Sequence, residues 1–525
     1  MRVLDMPRRW VASALWLIVL LILARTLFAI IEPESLASIA DDSSNYLVMA
    51  RCLSPWVVEG VAASICGEQY FPAVFPLMLG LLGAESALPL AHLIVVGAFL
   101  VSLPMIWLYA NRVLGARAAA HGVVMCFVLL PGTTLGLQGI LSESTYLLLS
   151  AAFLLLVPEA ERPATPARSF AAGVVLGLLV STRTVGVVLA LAMLVRCLVS
   201  RLRGRDETAP TVITLGTAGV LAATLRGLFP PANTPNDYAS LWGGFLSNLP
   251  EIPGYLTEQA GALTESWASF IALYWTDDRP LVWFGLSGVL AVCGVGLALR
   301  LWSNRLDAWC VALYLLVLIA WPFPGQMFRF LFPVMPFLLL QGVWLLLLLA
   351  GRFPRFRAAT VFAPVFVLAL ALPAHAFLLG RAELARDMGI NPVHEWMRNP
   401  DVDAATRELG LQNAIFDDLE ASASALPPEA VVAFYEPSYV VLLAQRPSLH
   451  LPWPMDAGAW DSAMRAGATH AYLSRIHPRM SRSSIDGLRI RGSLPAGISL
   501  LWCSQEKFSG VVAGCMYALP HTDTP

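Results

Sequence analysis

The stretch Trp10–Ile31, WVASALWLIVLLILARTLFAII, decides the class of the fold. It meets the ~20 apolar residues that carry a helix across a hydrocarbon core. It is too long for the apolar region of a signal peptide, and many similar runs follow, so it reads as a retained anchor. A short way beyond it stand two adjacent carboxylates, Asp41 and Asp42. They emerge at a water–lipid boundary, where they can meet both a lipid-borne substrate and a soluble one.

The rest of the chain has the same character. Of 525 residues, 57% are hydrophobic and 13% charged, against roughly 25% charged in a soluble domain. Spans are predicted at 10–31, 87–109, 118–135, 140–157, 169–182, 184–199, 210–229, 280–299, 308–323, 330–349 and 358–379, about 11 in all. Arginines alternate with them. The loops after every second span carry Arg112 and Arg117, Arg162 and Arg168, Arg201 to Arg205, Arg300 and Arg305, and Arg352 to Arg357. The long loops 32–86 and 230–279 hold only Arg51 and Arg279 as basic residues. By the positive-inside rule the N-terminus is cytoplasmic and the long loops are extracytoplasmic. The net charge of −2 offers no footprint for nucleic acid. Segment 169–199, broken at Ser181–Thr184, reads as two short helices or as a re-entrant element opening on a water-filled cavity.

In the first long loop, Leu47, Val48, Met49, Leu53 and Trp56 predict a short amphipathic helix, and 75–82 a second. Leu263–Trp275, with Trp267, Phe270, Ile271 and Tyr274 at helical spacing, predicts a third. All three read as interfacial, with apolar faces in lipid. Residues 1–379 form the membrane domain. From 380 to 525 the composition turns polar, with β-rich runs at 431–434, 439–443, 471–473 and 498–502 and helix-like segments at 401–424 and 457–466. This predicts a small mixed α/β domain with its own core, extracytoplasmic if the span count is odd. Cys52 with Cys66, and Cys503 with Cys515, face the oxidising side as disulfides or free thiols. The other four cysteines read as core.

Carboxylates persist near a bilayer where they are hydrated or paired, usually for function. Adjacent helical residues point about 100° apart, so one aspartate aims into a cleft while Asp41 serves as cap for a helix starting at Ser43. Glu143 opens span 140–157, either as another cleft carboxylate or as a helix N-terminal charge. Arg183 and Arg329 stand on the side otherwise poor in arginine, where a guanidinium can hold a phosphate bidentately or merely snorkel. The sequence has no H-E-x-x-H, G-x-S-x-G, Walker or dinucleotide signature.

These residues carry a resemblance. Asp42 with Tyr46 and Ala50 resembles the first-loop motif of the polytopic GT-C glycosyltransferases that use polyprenyl-phosphate sugars, such as protein O-mannosyltransferases and the lipid A aminoarabinose transferase. Tyr70-Phe71-Pro72 and Phe75-Pro76-Leu77 resemble the Tyr-Pro segments that follow, and Ser142-Glu143 the Ser-Glu opening of the fourth span. Arg183-Thr184-Val185-Gly186 resembles the Arg-x-x-Gly turn, and Arg329 to Pro336 the Arg-Tyr-Leu-Leu-Pro-x-x-Pro segment. In the tail, Gln445-Arg446 stands where others have Gly-Arg.

The resemblance implies an all-α GT-C membrane bundle with a small C-terminal α/β extracytoplasmic domain in the plasma (inner) membrane. It implies an inverting transferase with Asp42, helped by Asp41, as catalytic residues. Glu143, Arg183, Arg329, Tyr46 and Tyr70 would bind the donor phosphate or the substrate. The partners are then a polyprenyl-phosphate sugar donor, a glycan, lipid or protein acceptor of the envelope, and membrane lipids. The acidic cleft could hold a divalent cation, and no other cofactor is indicated. A lipid-linked glycan transporter or flippase, and a polysaccharide ligase using diphosphate-linked donors, are the alternative readings.

Overall fold

The computed structural model describes residues 5–32, 41–57, 61–66, 71–158, 165–230, 252–273, 280–321, 326–353, 359–391, 396–397, 401–451, 457–474, 496–505, 507 and 510–520. Predicted spans 118–135 and 330–349 are each divided between two helices, and each of the others coincides with one. Among the described residues, seven helices are long and apolar enough to cross a membrane by length and composition. They include α1 (Asp5–Ile30), α4 (Leu88–Leu114), α9 (Val187–Leu202), α10 (Thr208–Leu228), α12 (Pro280–Trp302), α15 (Met335–Arg352) and α16 (Ala359–Met388). Four shorter apolar helices are α5 (Arg117–Leu129), α7 (Glu143–Leu156), α8 (Pro166–Val180) and α13 (Leu306–Ile319). These run below the ~20 residues of a full crossing. The protein is therefore a multi-pass helical membrane protein with a small C-terminal sheet.

Two compact units divide the chain. One comprises residues 1–31, 71–75 and 93–380, and the other 32–70, 76–92 and 381–525. In the first, packing is close enough to need small residues. At Gly132, in α6 (Pro131–Gly136), an added Cβ would lie 2.3 Å from the Phe270 ring, and at Gly296 it would lie 2.2 Å from the Gln341 carbonyl oxygen. Phe270 belongs to α11 (Ile252–Ala272), the helix expected to lie in the interface plane. It is a helix, but Trp267, Phe270 and Ile271 are buried, with Phe270 stacked 5.5 Å from Phe328. Its apolar stripe fills a protein groove rather than lipid. Tyr274 lies outside the described residues.

The second unit joins the first loop to the tail. Its helix α2 (Asp41–Leu53) begins two residues before the expected Ser43 start, so Asp41 is a helical residue and both aspartates stand in the first turn. Tyr46 to Ala50 are all buried, so α2 is a packed element and not a lipid-facing one. The contacts that bury it include the tail: the Ser44 and Ser438 hydroxyls lie 2.9 Å apart. Cys52 and Cys66 are bonded, as are Cys503 and Cys515. The remaining cysteines are free and buried. The first-loop disulfide ties α2 to a single-turn segment, Val61–Ser64, whose Ser64 Oγ accepts from the Ser448 amide at 3.1 Å.

Against α2 lies α3 (Val74–Leu81). A Cβ added at Gly80 would sit 2.5 Å from the Ala50 carbonyl oxygen, a backbone atom that cannot swing away. Gly80→Ala is expected to lower stability by about 1–3 kcal/mol, the usual cost of overpacking. Thermal unfolding in detergent checks this, and an unchanged midpoint would show that the two helices are not in fixed contact.

The tail sheet has order β2-β1-β3-β5-β4, built from Val432–Phe434, Ser448–His450, His470–Ser474, Ser499–Gln505 and Val512–Ala518 as β1, β2, β3, β4 and β5. β1 is parallel to β2 and β3, and β5 is antiparallel to β3 and β4. Alternate side chains face opposite sides. Val432, Phe434 and Tyr472 pack with Phe416 and Leu419 of α17 (Val402–Ala425). Ala433, Ala471 and Leu473 pack with Trp460 of α18 (Ala457–Arg465). The expected strand at 439–443 is instead helical, Pro437–Tyr439 followed by a wide turn through Ala444. All of Tyr439 to Ala444 are buried, and a short continuous apolar run does not distinguish strand from buried helix. Burial pushes the His470 imidazole below its usual range and raises Tyr472, whose hydroxyl donates to Asp418 Oδ2 at 2.7 Å.

Candidate functional site

The site is assembled by three interruptions in otherwise apolar helices. The first is the start of α7. Glu143 is its first residue and is 1% exposed, and a carboxylate there meets the positive end of the helix dipole. The second is the predicted break at 181–184. α8 ends at Val180, and the Thr182 hydroxyl donates back to the Leu178 carbonyl at 2.8 Å. Arg183 is extended, and a single 3-10 turn, Thr184–Gly186, leads into α9. Gly186 is required at this turn, because a Cβ would stand 2.9 Å from the Leu179 carbonyl oxygen. The predicted break therefore separates two helices, of which α8 is the short one and α9, with its 3-10 turn, is long enough to cross a membrane. The Val74 amide donates to Ser181 O at 3.0 Å, which ties the Phe71–Phe75 segment to this break. The third interruption is α14 (Met327–Leu331), a short helix carrying Arg329 just ahead of Pro333 and α15.

These interruptions converge on one carboxylate. Arg183 Nη1 lies 2.7 Å and Arg329 Nε 2.9 Å from Glu143 Oε1. Arg183 Nη1 also donates to Ser142 Oγ at 3.1 Å. The centre of the Phe330 ring lies 5.0 Å from each guanidinium carbon, so one aromatic ring serves both cations. Tyr314 of α13 donates its hydroxyl to the Phe330 carbonyl at 2.9 Å and fixes that residue. The two arginine side chains are 12% and 11% exposed, so the cluster is nearly dry. Two guanidinium groups thus share one carboxylate at a helix N-terminus, a setting that favours anions.

Sequence reasoning found Glu143, Arg183 and Arg329 but missed Ser142, Tyr314 and Phe330. Phe330 was visible only as a departure from the tyrosine of the resembling enzymes, and its ring lies against both guanidinium groups. Asp42 is half-buried in the first turn of α2, in the unit that holds the tail, with Tyr46 buried one turn later. Asp41 is placed by its backbone alone, and Tyr70 lies outside the described residues. Arg446, the tail residue of the resemblance, caps α17. Its guanidinium donates to the carbonyls of Ala423, Leu426 and Pro427 at 2.7, 2.8 and 2.9 Å. Among the described residues no group of three or more His, Cys, Asp or Glu could hold a metal ion, and Glu143 is engaged by guanidinium groups. No step is assigned to a cation.

No family model matches the chain, and no curated protein matches it. Solved structures do. An oligosaccharyltransferase, AglB from Archaeoglobus fulgidus, in complex with an inhibitory peptide and a dolichol-phosphate, is similar over 99% of this chain and 75% of its own, with 12% identity and a TM-score of 0.52. ArnT from Cupriavidus metallidurans in the apo state is similar over 98% of both chains, with 16% identity and a TM-score of 0.52. The same enzyme bound to undecaprenyl phosphate covers 97% of this chain at 14% identity, with a TM-score of 0.50. At such identities the likeness speaks to the fold, and the fold is the GT-C architecture of these two transferases.

Proposed function

We propose that the chain is an inverting glycosyltransferase that moves a sugar from a polyprenyl-phosphate carrier to a hydroxyl of a cell-envelope acceptor on the extracytoplasmic face. The observation that carries this reading is the buried Glu143–Arg183–Arg329 cluster, two guanidinium groups gathered on one carboxylate in a bundle whose architecture is that of lipid-phosphate-using transferases. The solved neighbours hold a dolichol-phosphate and undecaprenyl phosphate, which supports a lipid phosphate here as well.

In the proposed reaction the acceptor oxygen attacks the anomeric carbon from the face opposite the carrier. The bond from that carbon to the phosphate oxygen breaks, and its electron pair leaves with the polyprenyl phosphate. The hydroxyl proton passes to the Asp42 carboxylate, with Asp41 as helper. Arg183 and Arg329 bind the phosphate as its charge grows, and in a dry site that interaction is worth most in the transition state. Tyr46 and Tyr70 are assigned to the substrate, and a divalent cation at Asp41 and Asp42 is part of the proposal under test.

Purified protein is incubated with radiolabelled polyprenyl-phosphate sugars and membrane extract, with and without EDTA. Label is expected to move to an envelope acceptor with release of polyprenyl phosphate. Transfer from no such lipid would sink the donor assignment, and activity unchanged by EDTA would remove the cation.

Eleven crossings, a cytoplasmic N-terminus and an extracytoplasmic tail complete the reading. The disulfides support it, since such bonds persist in oxidising compartments. In sealed cells, added protease is expected to cleave the tail from outside. Protection of the tail until the membrane is opened would refute this orientation.

A further inference from the structure

A second polar cluster lies at the other end of α7, and the proposed transfer does not use it. From Glu143 to Leu154 the helix advances about 17 Å, at ~1.5 Å per residue. There Arg112 donates from Nη1 to the Leu155 carbonyl at 2.9 Å and from Nη2 to that of Leu154. Arg196 donates from both Nη atoms to Pro158 O at 3.3 Å and pairs through Nε with Glu207 at 3.1 Å. These guanidinium groups satisfy carbonyls that a helix end leaves without partners.

The end of α12 adds a framework that carbonyl capping does not explain. Arg300 Nη2 lies 2.8 Å from both carboxylate oxygens of Asp307, and Gln341 Nε2 donates to Oδ2 at 3.0 Å. The Arg300 guanidinium stands 5.3 Å from the Trp344 ring centre. The chain reverses at Asn304 (φ 55°), which donates to Ser200 Oγ at 2.8 Å and accepts from Trp309 Nε1 at 2.9 Å.

This framework borders two recesses. The smaller one, about 20 Å³, is lined by Arg112, Arg196, Arg300, Arg305 and Asp307 among others. The larger one, about 90 Å³, is lined by Arg300, Arg305, Ser303, Trp344 and Val113. The smaller recess has room for about one water and the larger for several. Four guanidinium groups and one carboxylate thus border the pair. Trp302 is 81% exposed, and Trp309 and Trp344 are half-buried beside it in sequence or fold. Tryptophans gathered at one helix end mark headgroup depth.

We propose that the larger recess is a phosphate-binding site filled by the headgroup of an anionic phospholipid. Guanidinium forks match phosphate oxygens bidentately, and basic pockets between spans are where anionic headgroups settle. Arg300 is held by Asp307 and Trp344, so it is preorganised. Arg305, half-buried at the start of α13, is the second cation. A zwitterionic headgroup would bring its own cation against these arginines and bind poorly.

Native mass spectrometry of the purified full chain in detergent tests this, with phosphatidylglycerol, phosphatidylcholine or inorganic phosphate added. Wild type is expected to retain phosphatidylglycerol over phosphatidylcholine, with retention falling about tenfold in Arg305→Gln and partly returning in Arg305→Lys. Thermal unfolding without added lipid is expected to be the same for wild type and Arg305→Gln, which separates lost binding from lost folding. Equal retention in wild type and Arg305→Gln, or equal retention of phosphatidylcholine, would overturn the site. Retention of inorganic phosphate with no preference for phosphatidylglycerol would overturn the lipid assignment.

Discussion

Asp42→Asn is expected to lower sugar transfer by about 10²–10⁴-fold, the range by which positioned general bases act, with little change in stability. The amide keeps the size of the side chain and can still cap or hydrogen-bond, but it cannot take the acceptor proton. Asp42 is half-buried in the first turn of α2, whose following residues are locked by burial from Tyr46 to Ala50. The aspartate is therefore held on a rigid element rather than on a loose loop. Initial rates under saturating donor, with thermal unfolding as control, measure the effect. Transfer retained in Asp42→Asn would remove it as base. Asp41→Asn is expected to lose far less, and a reversal of that order would exchange the two roles.

Glu143→Gln is expected to cost about 3–5 kcal/mol of stability, because it strips the counter-charge from two guanidinium groups that are only 12% and 11% exposed. Both ion pairs end on the same oxygen, Glu143 Oε1, so one substitution removes both. The arginines would also lose the anchor that sets their direction toward a phosphate, so transfer should fall with stability. The single variants Arg183→Gln and Arg329→Gln leave one pair intact. Each is expected to be milder in unfolding but to lower transfer by about 10²-fold, as removal of one charge-stabilising donor does. Thermal unfolding and transfer measured on the same preparations separate the two effects. A Glu143→Gln protein as stable as wild type would mean that the cluster is solvated and not a dry anion site.

The membrane fold was legible because the bilayer imposes long apolar runs and sorts arginines by side. The site was legible where a charge interrupts such a run, as at Glu143, Arg183 and Arg329. Its aromatic support was not. Phe330 contributes its ring to two cations, and nothing in a Phe amid apolar residues announces that. α11 was recognised as a helix but misassigned to the interface, since one apolar stripe fits lipid and a protein groove equally well. In the tail, β2 and β5 went unseen. β2 is only three residues long, and β5 carries Gly514, a residue that weakens a strand signal. There a Cβ would lie 2.1 Å from the Tyr472 hydroxyl, so the glycine is what lets the sheet admit that ring.

Ser44 and Ser438 touch although 394 residues separate them in the chain. At translation speeds of ~5–20 residues per second, about 20–80 s pass between synthesis of the aspartate-bearing helix and synthesis of its tail partner. During that interval α2 lacks the surface that buries it, and the Asp42 region is unfinished. A ribosome that stalls before the tail would leave a membrane bundle with its arginine cluster built but its acidic helix unsupported. Synthesis of the Ser438 segment, not insertion of the last span, is then the event that completes the packing of α2.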